Sequence, residues 1–305
     1  MSRAPAATRD LEIEGRHLRV TNTDRVLWPG TGFTKGDLID YYSAVAPALL
    51  PHLVDRPVTL GRWPHGVDAR GFAQSECRGQ PEWMRGAELR LRSGEVRRHC
   101  LIDDAASLVW VANLAAIELH TYQFQFEHPD QPTAALLDLD PGPEVSVPEL
   151  AEAALIVRDE LAALGLKACV KTSGSAGLHV HVPLGRAHPA DVVNAFVRKL
   201  AADLAAAHGH LITDDPRLER AKRVRLDWRQ AQARRLIVAP YSLRATDEPA
   251  VSTPISFEEV AEAQRGRALQ FGPADVLERV RTEGDLFAPM LTTTQSLPVE
   301  GTPTT

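Results

Sequence analysis

Residues 136–143, Leu-Leu-Asp-Leu-Asp-Pro-Gly-Pro, constrain the fold of this chain more than any other segment. Side chains alternate between the two faces of a strand, so Asp138 and Asp140 share one face and the leucines the other. The Pro-Gly-Pro sequence ends the strand, because proline cannot donate a hydrogen bond to the ladder. Two neighbouring carboxylates repel each other unless a cation or a proton lies between them. The pattern therefore predicts either a site for Mg²⁺ or Mn²⁺ at a strand end or a solvated turn.

The composition excludes several classes of protein. The chain has 305 residues, a formal net charge of -6 and 44% hydrophobic residues, so any nucleic-acid contact must come from a local basic patch. Cys77, Cys100 and Cys169 show no CxxC spacing, which argues against a disulfide framework or a zinc site and favours a reducing compartment. No leader sequence or membrane-spanning apolar run is visible, so we expect a cytoplasmic, nucleoid-associated protein without membrane contact.

Helical patterns alternate with short apolar runs. The spacing of apolar residues predicts helices over 34–50, 107–120, 148–164 and 190–207, and strands over 57–60, 134–140, 168–171, 178–184, 224–228 and 236–240. This mixture predicts an α+β (mixed α/β) fold with a cleft lined by polar strand faces. We expect one domain over 10–290, with flexible tails over 1–9 and 292–305.

Three further segments carry residues suited to phosphate chemistry. Residues 171–184 join two strands through a loop of small residues, and His179 and His181 share a face; this is either a phosphate cradle or an ordinary hairpin. Asp227 lies within a basic cluster and is either a salt-bridge partner or a third metal ligand. Near the N-terminus, Arg25 and Lys35 are either surface charges or a phosphate site at a helix start. The members of the basic cluster are Arg217, Arg220, Lys222, Arg223, Arg225, Arg229, Arg234 and Arg235.

Taken in order, these segments resemble the polymerase domain of bacterial DNA ligase D, a branch of the archaeo-eukaryotic primase superfamily, here in stand-alone form. The resemblance covers about 18–289. Its carriers are the segments 34–37, 41–42, 55–59, 108–114, 137–143, 171–175, 177–180 and 238–244.

The resemblance implies a primase-type catalytic core, with a central sheet flanked by helices, that transfers nucleotides onto a primer under the direction of a template. It implies that Asp138, Asp140 and Asp227 bind two divalent ions, preferably Mn²⁺. It further implies that the incoming triphosphate contacts Ser173, His179, Arg235 and Arg244, and that Arg25 and Lys35 recognise a DNA 5′-phosphate. The implied partners are gapped or broken DNA, nucleoside triphosphates, a separate DNA ligase and a Ku-type end-binding protein, acting in non-homologous end joining.

The chain departs from the family pattern at several positions. Gly61 replaces a lysine, Ala176 replaces the lysine of the Gly-rich loop, and Ala231 replaces an asparagine after the third acid. The usual Phe-Phe-Gln-Lys segment reads Gly-Phe-Ala-Gln-Ser over 71–75. Because several changes remove positive charge, we predict a metal-competent site with altered substrate binding. The alternatives are a DNA-end-binding paralogue without efficient synthesis and a metal-dependent phosphohydrolase.

Overall fold

The computed structural model describes residues 7–90, 94–215, 222–232 and 234–298, and helices and strands are interspersed along these ranges. Arg217, Arg220 and the outer parts of both expected tails lie outside the described residues. The described residues form two compact units. The described residues of the first unit fall within 1–121, 238–252 and 271–284, and those of the second within 122–237, 253–270 and 285–305.

The elements up to the end of β9 belong almost entirely to the first unit. They are β1 (Thr8–Ile13), β2 (Arg16–Thr21), β3 (Val26–Trp28), β4 (Phe33–Thr34), α1 (Lys35–Leu49), β5 (Pro57–Arg62), β6 (Phe72–Gln74), β7 (Gly86–Arg90), β8 (Val96–Leu101), α2 (Ala105–Asn113) and β9 (Ala116–Tyr122). Strands β9, β5, β8 and β7 lie side by side in that order, with β6 on β5. Helix α1 begins at the capping box that Thr34 and Asp37 form, as the pattern predicted.

The later elements alternate between the two units. They are β10 (Ala134–Pro141), α3 (Val147–Ala163), β11 (Cys169–Thr172), β12 (Leu178–Pro183), α4 (Ala190–Ala207), β13 (Ile212–Thr213), β14 (Val224–Leu226), β15 (Leu236–Val238), β16 (Leu243–Ala245), β17 (Pro249–Val251), β18 (Pro254–Ile255), α5 (Phe257–Gln264), α6 (Pro273–Glu283) and α7 (Pro289–Thr292). Short 3₁₀ helices span Leu50–His52 and Trp228–Ala231.

The sheet of the second unit has the strand order β13-β14-β10-β12-β11-β18. All its pairs are antiparallel except β13 with β14. Helices α3 and α4 pack against β10, which is buried from Ala134 to Leu139. The α+β prediction is confirmed, although the strands are divided among several sheets. In the described part of the chain, no helix has the length and apolarity needed to cross a bilayer.

One of the four predicted helices is wrong in its second half. Helix α2 ends at Asn113, and strand β9 replaces the helix expected up to residue 120. Ala115 adopts a positive φ of 56°, which turns the chain before the strand begins. The apolar residues of 107–120 matched a helical spacing by coincidence, because the alternation from Ala116 to Tyr122 fits a strand equally well.

Two further predictions need correction. Strand β1 begins at Thr8, within the expected N-terminal tail. Near the other end, Leu297 is buried and its amide donates to His188 Nε2, while Gln295 bonds to both the amide and the carbonyl of Lys167. The expected tail over 292–305 is therefore wrong for its described residues.

The sequence analysis argued against a disulfide framework, but the structure pairs two of the three cysteines. Cys77 and Cys100 form a disulfide, and Cys169 is the free thiol of the described residues. The Cys77 amide donates to the carbonyl of Arg98 at 2.8 Å, which holds the segment after β6 beside β8. The two cysteines are 23 residues apart, so no short cysteine motif in the sequence predicts the disulfide.

Candidate active site

Three acids meet at the end of β10 in the second unit. Asp138 and Asp140 lie two residues apart on this strand, and Pro141 is its last residue, as predicted. Strand β14 pairs with β10 so that Arg225 lies opposite Asp140. The next acid, Asp227, then donates its backbone N–H to the carbonyl of Asp138 at 2.9 Å. The structure therefore brings together the three carboxylates that the sequence analysis singled out.

Arg225 compensates the charge of this cluster. One of its Nη atoms lies 2.5 Å from Asp140 Oδ2 and 3.2 Å from Asp227 Oδ2. Burial, and then the charge of Asp138, raise the pKa of Asp140 above its ordinary value, and the hydrogen bond from Arg225 offsets this only in part. The positive charge of Arg225 therefore does not fully offset the burial and mutual repulsion of the three carboxylates.

The donor set fits hard divalent cations. Carboxylate oxygens are the ligands that Mg²⁺ and Mn²⁺ prefer, and a raised carboxylate pKa shows that added positive charge would be favourable here. Within residues 7–90, 94–215, 222–232 and 234–298, no three His, Cys, Asp or Glu side chains already form a metal-binding group. In this structure the guanidinium of Arg225 lies between the carboxylates of Asp140 and Asp227.

A buried polar chain leads from Asp138 into the sheet. His179 lies opposite Asp138 on β12 and opposite Lys171 on β11. Its Nε2 is 3.3 Å from Asp138 Oδ1, and its Nδ1 is 2.8 Å from Lys171 Nζ. If the lysine is charged it must donate to Nδ1, and Nε2 then donates to the carboxylate. Lys171 thus orients His179, a role that the sequence analysis did not assign.

The Gly-rich loop between β11 and β12 approaches β10 closely. The Ser173 hydroxyl accepts hydrogen bonds from the amides of Ser175 and Gly177 at 3.2 Å and 3.0 Å, and so closes the loop on itself. A Cβ at Gly177 would lie 2.6 Å from the carbonyl oxygen of Leu139, so only glycine fits there. The loop therefore lies against the strand that carries the acids.

The two remaining predicted triphosphate contacts are placed differently. Arg235 is exposed, and no hydrogen bond or ion pair of the described residues joins its side chain to the acids. Arg244 belongs to the first unit, where its Nε donates to Glu118 Oε1 at 3.0 Å. Glu118 also accepts from the amide of Ala245 and lies 2.7 Å from His120 Nε2.

Glu118 is a strongly stabilised carboxylate. Burial alone would raise its pKa, but the hydrogen bond with His120, the charge of Arg244 and the Ala245 amide outweigh it and lower the pKa to about 2. Glu118 therefore stays ionised and holds Arg244 in place. Glu118 is not among the predicted site residues, because the pattern of 107–120 indicates a helix. The alternation of Glu118 and His120 along strand β9 is the signal that could have identified this pair.

Arg25 and Lys35 form a second cationic site in the first unit. The amide of Lys35 donates to the carbonyl of Arg25 at 2.8 Å, next to the pairing of β3 with β4. Burial, and then the charges of Arg25 and Arg62, lower the pKa of Lys35 to about 8. An anion bound here would relieve the repulsion between Lys35 and the two arginines. The structure is therefore more consistent with a phosphate site than with unrelated surface charges.

The side chain of Trp63 leaves no room for a Cβ at Gly61 or Gly71, two positions in segments that depart from the family pattern. The ring of Trp63 would lie 2.9 Å from a Cβ at Gly61 and 2.2 Å from one at Gly71. Gly61 also pairs with Glu118 across the sheet, where a Cβ would lie 2.9 Å from the glutamate Cβ. A lysine at position 61 would therefore require both neighbours to move.

Three acids at neighbouring strand ends, beside a glycine loop and a histidine, are typical of proteins that transfer phosphoryl and nucleotidyl groups. Comparison with known proteins identifies the family to which the chain belongs. The sequence profile of the LigD primase-polymerase domain matches residues 34–287. The chain therefore belongs to the LigD primase-polymerase domain family.

Relatives and a solved structure agree with this assignment. The multifunctional non-homologous end joining protein LigD of Mycolicibacterium smegmatis is 38% identical over 277 residues, which are 90% of this chain and 36% of that protein. The bifunctional LigD of Bacillus subtilis is 28% identical, over 88% of this chain and 43% of that protein. This chain thus spans less than half the length of either relative.

The solved polymerase domain of Mycobacterium tuberculosis ligase D in complex with DNA has the same fold. It superposes with a TM-score of 0.84 at 34% identity, and the match covers 91% of this chain and 99% of that one. The fold expected from the sequence resemblance is therefore confirmed.

Proposed function

We propose that this chain catalyses template-directed, metal-dependent nucleotidyl transfer at DNA gaps or breaks during non-homologous end joining. The proposal depends on the proximity of Asp138, Asp140 and Asp227. Strand β14 pairs with β10, and the backbone N–H of Asp227 donates a hydrogen bond to the carbonyl of Asp138. The family assignment and the DNA complex of the mycobacterial domain support it. They do not favour a DNA-end-binding paralogue without synthesis, and a protein that only binds DNA gains nothing from carboxylates that repel phosphates.

Asp138, Asp140 and Asp227 would hold two divalent ions, Mn²⁺ or Mg²⁺, which when bound activate a primer 3′-hydroxyl and stabilise the leaving pyrophosphate. The chain itself contributes position and charge. Arg225 keeps Asp140 and Asp227 together by offsetting their repulsion. His179 fixes the orientation of Asp138 from the other side of the strand pair.

The substrate contacts follow from the cationic and small residues around these sites. Ser173 and His179, together with Arg235 and Arg244, are proposed to bind the triphosphate. The contact of His179 with Asp138 and the close approach of the loop to β10 at Gly177 support this role. Arg25 and Lys35 are proposed to bind the 5′-phosphate across a gap. A DNA ligase and a Ku-type protein are the proposed partners in joining the ends.

Primer extension tests the reaction. The purified chain is incubated with a 5′-phosphorylated gapped duplex, nucleoside triphosphates and Mn²⁺, and the products are separated by length. We expect extension by the wild type and a loss of about a hundredfold or more in Asp138→Asn. Asp203→Asn, which removes an exposed acid paired with Lys199, serves as the matched control and should retain activity.

Two outcomes would contradict the proposal. The reaction class is wrong if the wild type does not extend the primer or if Asp138→Asn equals it. Release of phosphate without pyrophosphate would instead indicate a phosphohydrolase. The 5′-phosphate site is tested separately: Arg25→Ala with Lys35→Ala should abolish the preference for 5′-phosphorylated over 5′-hydroxyl gaps.

A further inference from the structure

Trp228, directly after the third acid, is stacked by two arginines. The Cζ atom of Arg198 lies 5.0 Å from its ring centroid, and that of Arg229 lies 4.7 Å away. Arg198 comes from α4, which packs against the 3₁₀ helix that carries the other two residues. We call Arg198, Trp228 and Arg229 the arginine–tryptophan stack.

The charge of the stack is poorly compensated. Arg198 is exposed, and among the described residues no carboxylate lies within 4 Å of its guanidinium. Its neighbours one helical turn away are Asn194, Ala195, Ala201 and Ala202, which carry no charge. Among the described residues, the carboxylate paired with Arg229 is that of Asp227, at 3.8 Å. Two guanidiniums held beside one ring therefore present a positive surface to solvent.

The stack is fixed to the acidic site by the backbone. Asp227 caps the 3₁₀ helix, and its Oδ1 accepts from the amide of Arg229 at 3.1 Å. The Cα atoms of Asp227 and Trp228 are about 3.8 Å apart, as in any trans peptide. A nucleic-acid strand rises about 3.4 Å per nucleotide, so a strand that left the acids on this side would reach the stack within a few nucleotides.

We propose that the arginine–tryptophan stack binds a backbone phosphate of the nucleic-acid strand that reaches the acids. This inference rests on the proposed function and adds a phosphate subsite to it. A guanidinium suits a phosphodiester because its donors match two phosphate oxygens, and the aromatic ring restricts it to one orientation.

Arg198→Ala tests the subsite without touching the acids. We expect the KM for gapped primer–template DNA to rise about tenfold with kcat nearly unchanged, as for one charged hydrogen bond. The slope of log affinity against log salt, measured by fluorescence anisotropy, should fall by just under one. Arg158→Ala is the matched control, because Arg158 stacks on Phe257 in the same unit at 5.7 Å and also carries one charge.

Neutral methylphosphonate linkages identify the strand. Each of the first four linkages from the reacting end is replaced singly, in either the primer or the template. At the contacted phosphate, wild-type affinity should fall while Arg198→Ala loses nothing further. That pattern in one strand assigns the phosphate to the primer or to the template.

The outcomes separate this inference from the proposed function. A wild type that neither binds nor extends gapped DNA overturns both. An extending wild type with Arg198→Ala indistinguishable from Arg158→Ala overturns the subsite alone. A raised KM for the nucleoside triphosphate with unchanged DNA affinity also overturns it, since the stack would then bind the free nucleotide.

Discussion

Glu118→Gln should destabilise the first unit in a manner that depends on pH. The substitution keeps the shape of the side chain and removes the charge that faces Arg244 and His120. The native pKa of Glu118 is about 2, against an ordinary value of 4.5. This difference corresponds to about 3 kcal/mol of native-state stability at neutral pH.

The sign of the pH dependence follows from the direction of the shift. Because folding lowers the pKa of Glu118, its contribution is complete above pH 4.5 and is lost as the pH falls toward 2. The difference in unfolding free energy between wild type and Glu118→Gln should be about 3 kcal/mol at pH 7 and about 1 kcal/mol near pH 3. Urea denaturation followed by circular dichroism at both pH values measures it.

An exposed glutamate provides the control. Glu95 pairs with Arg97 on the surface of the same unit, and Glu95→Gln should leave the unfolding free energy within experimental scatter. A stability gap for Glu118→Gln that is absent, or that is equally large at pH 7 and pH 3, would refute the reasoning. If Arg244 binds the triphosphate, Glu118→Gln should also raise the KM for nucleotides.

Three other perturbations have distinct expected results. Preference for 5′-phosphorylated gaps should decline between pH 7 and 9 as Lys35, whose pKa is about 8, loses its proton; a constant preference measured by anisotropy would contradict this. Lys171→Met removes the partner of His179 Nδ1, and because His179 orients Asp138, single-turnover extension should slow by about 10- to 100-fold; an unchanged rate would exclude the orienting role. Gly177→Ala places a methyl group against the carbonyl of Leu139 and should lower the unfolding free energy by about 1–3 kcal/mol in urea titrations; an unchanged unfolding free energy would contradict the close approach.

Local signals gave accurate element boundaries where caps are present. Helix α3 begins at the capping box of Ser146 and Glu149, and the chain turns at Gly165 with a φ of 75°. The alternation of β10 likewise placed Asp138 and Asp140 correctly. Such features depend on residues within one or two turns of each other, so a sequence pattern contains them.

The contacts that assemble the site could not be obtained in this way. The hydrogen bond from Asp227 to Asp138 depends on the register of β14 against β10, and the pair of Arg244 with Glu118 joins positions 126 residues apart. Periodicity carries no information on pairing between distant strands. The family resemblance supplied the grouping of the acids, whereas the roles of Lys171 and Glu118 required coordinates.

The path of the chain sets a limit on how this protein can be dissected. Each of the two units is built from three separate stretches, because the chain passes back and forth at residues 121, 237, 252, 270 and 284. No single cut in the gene yields either unit whole. A laboratory that wants the acid-bearing half alone must rejoin its stretches with new linkers, and simple truncation should give an insoluble fragment with exposed core residues.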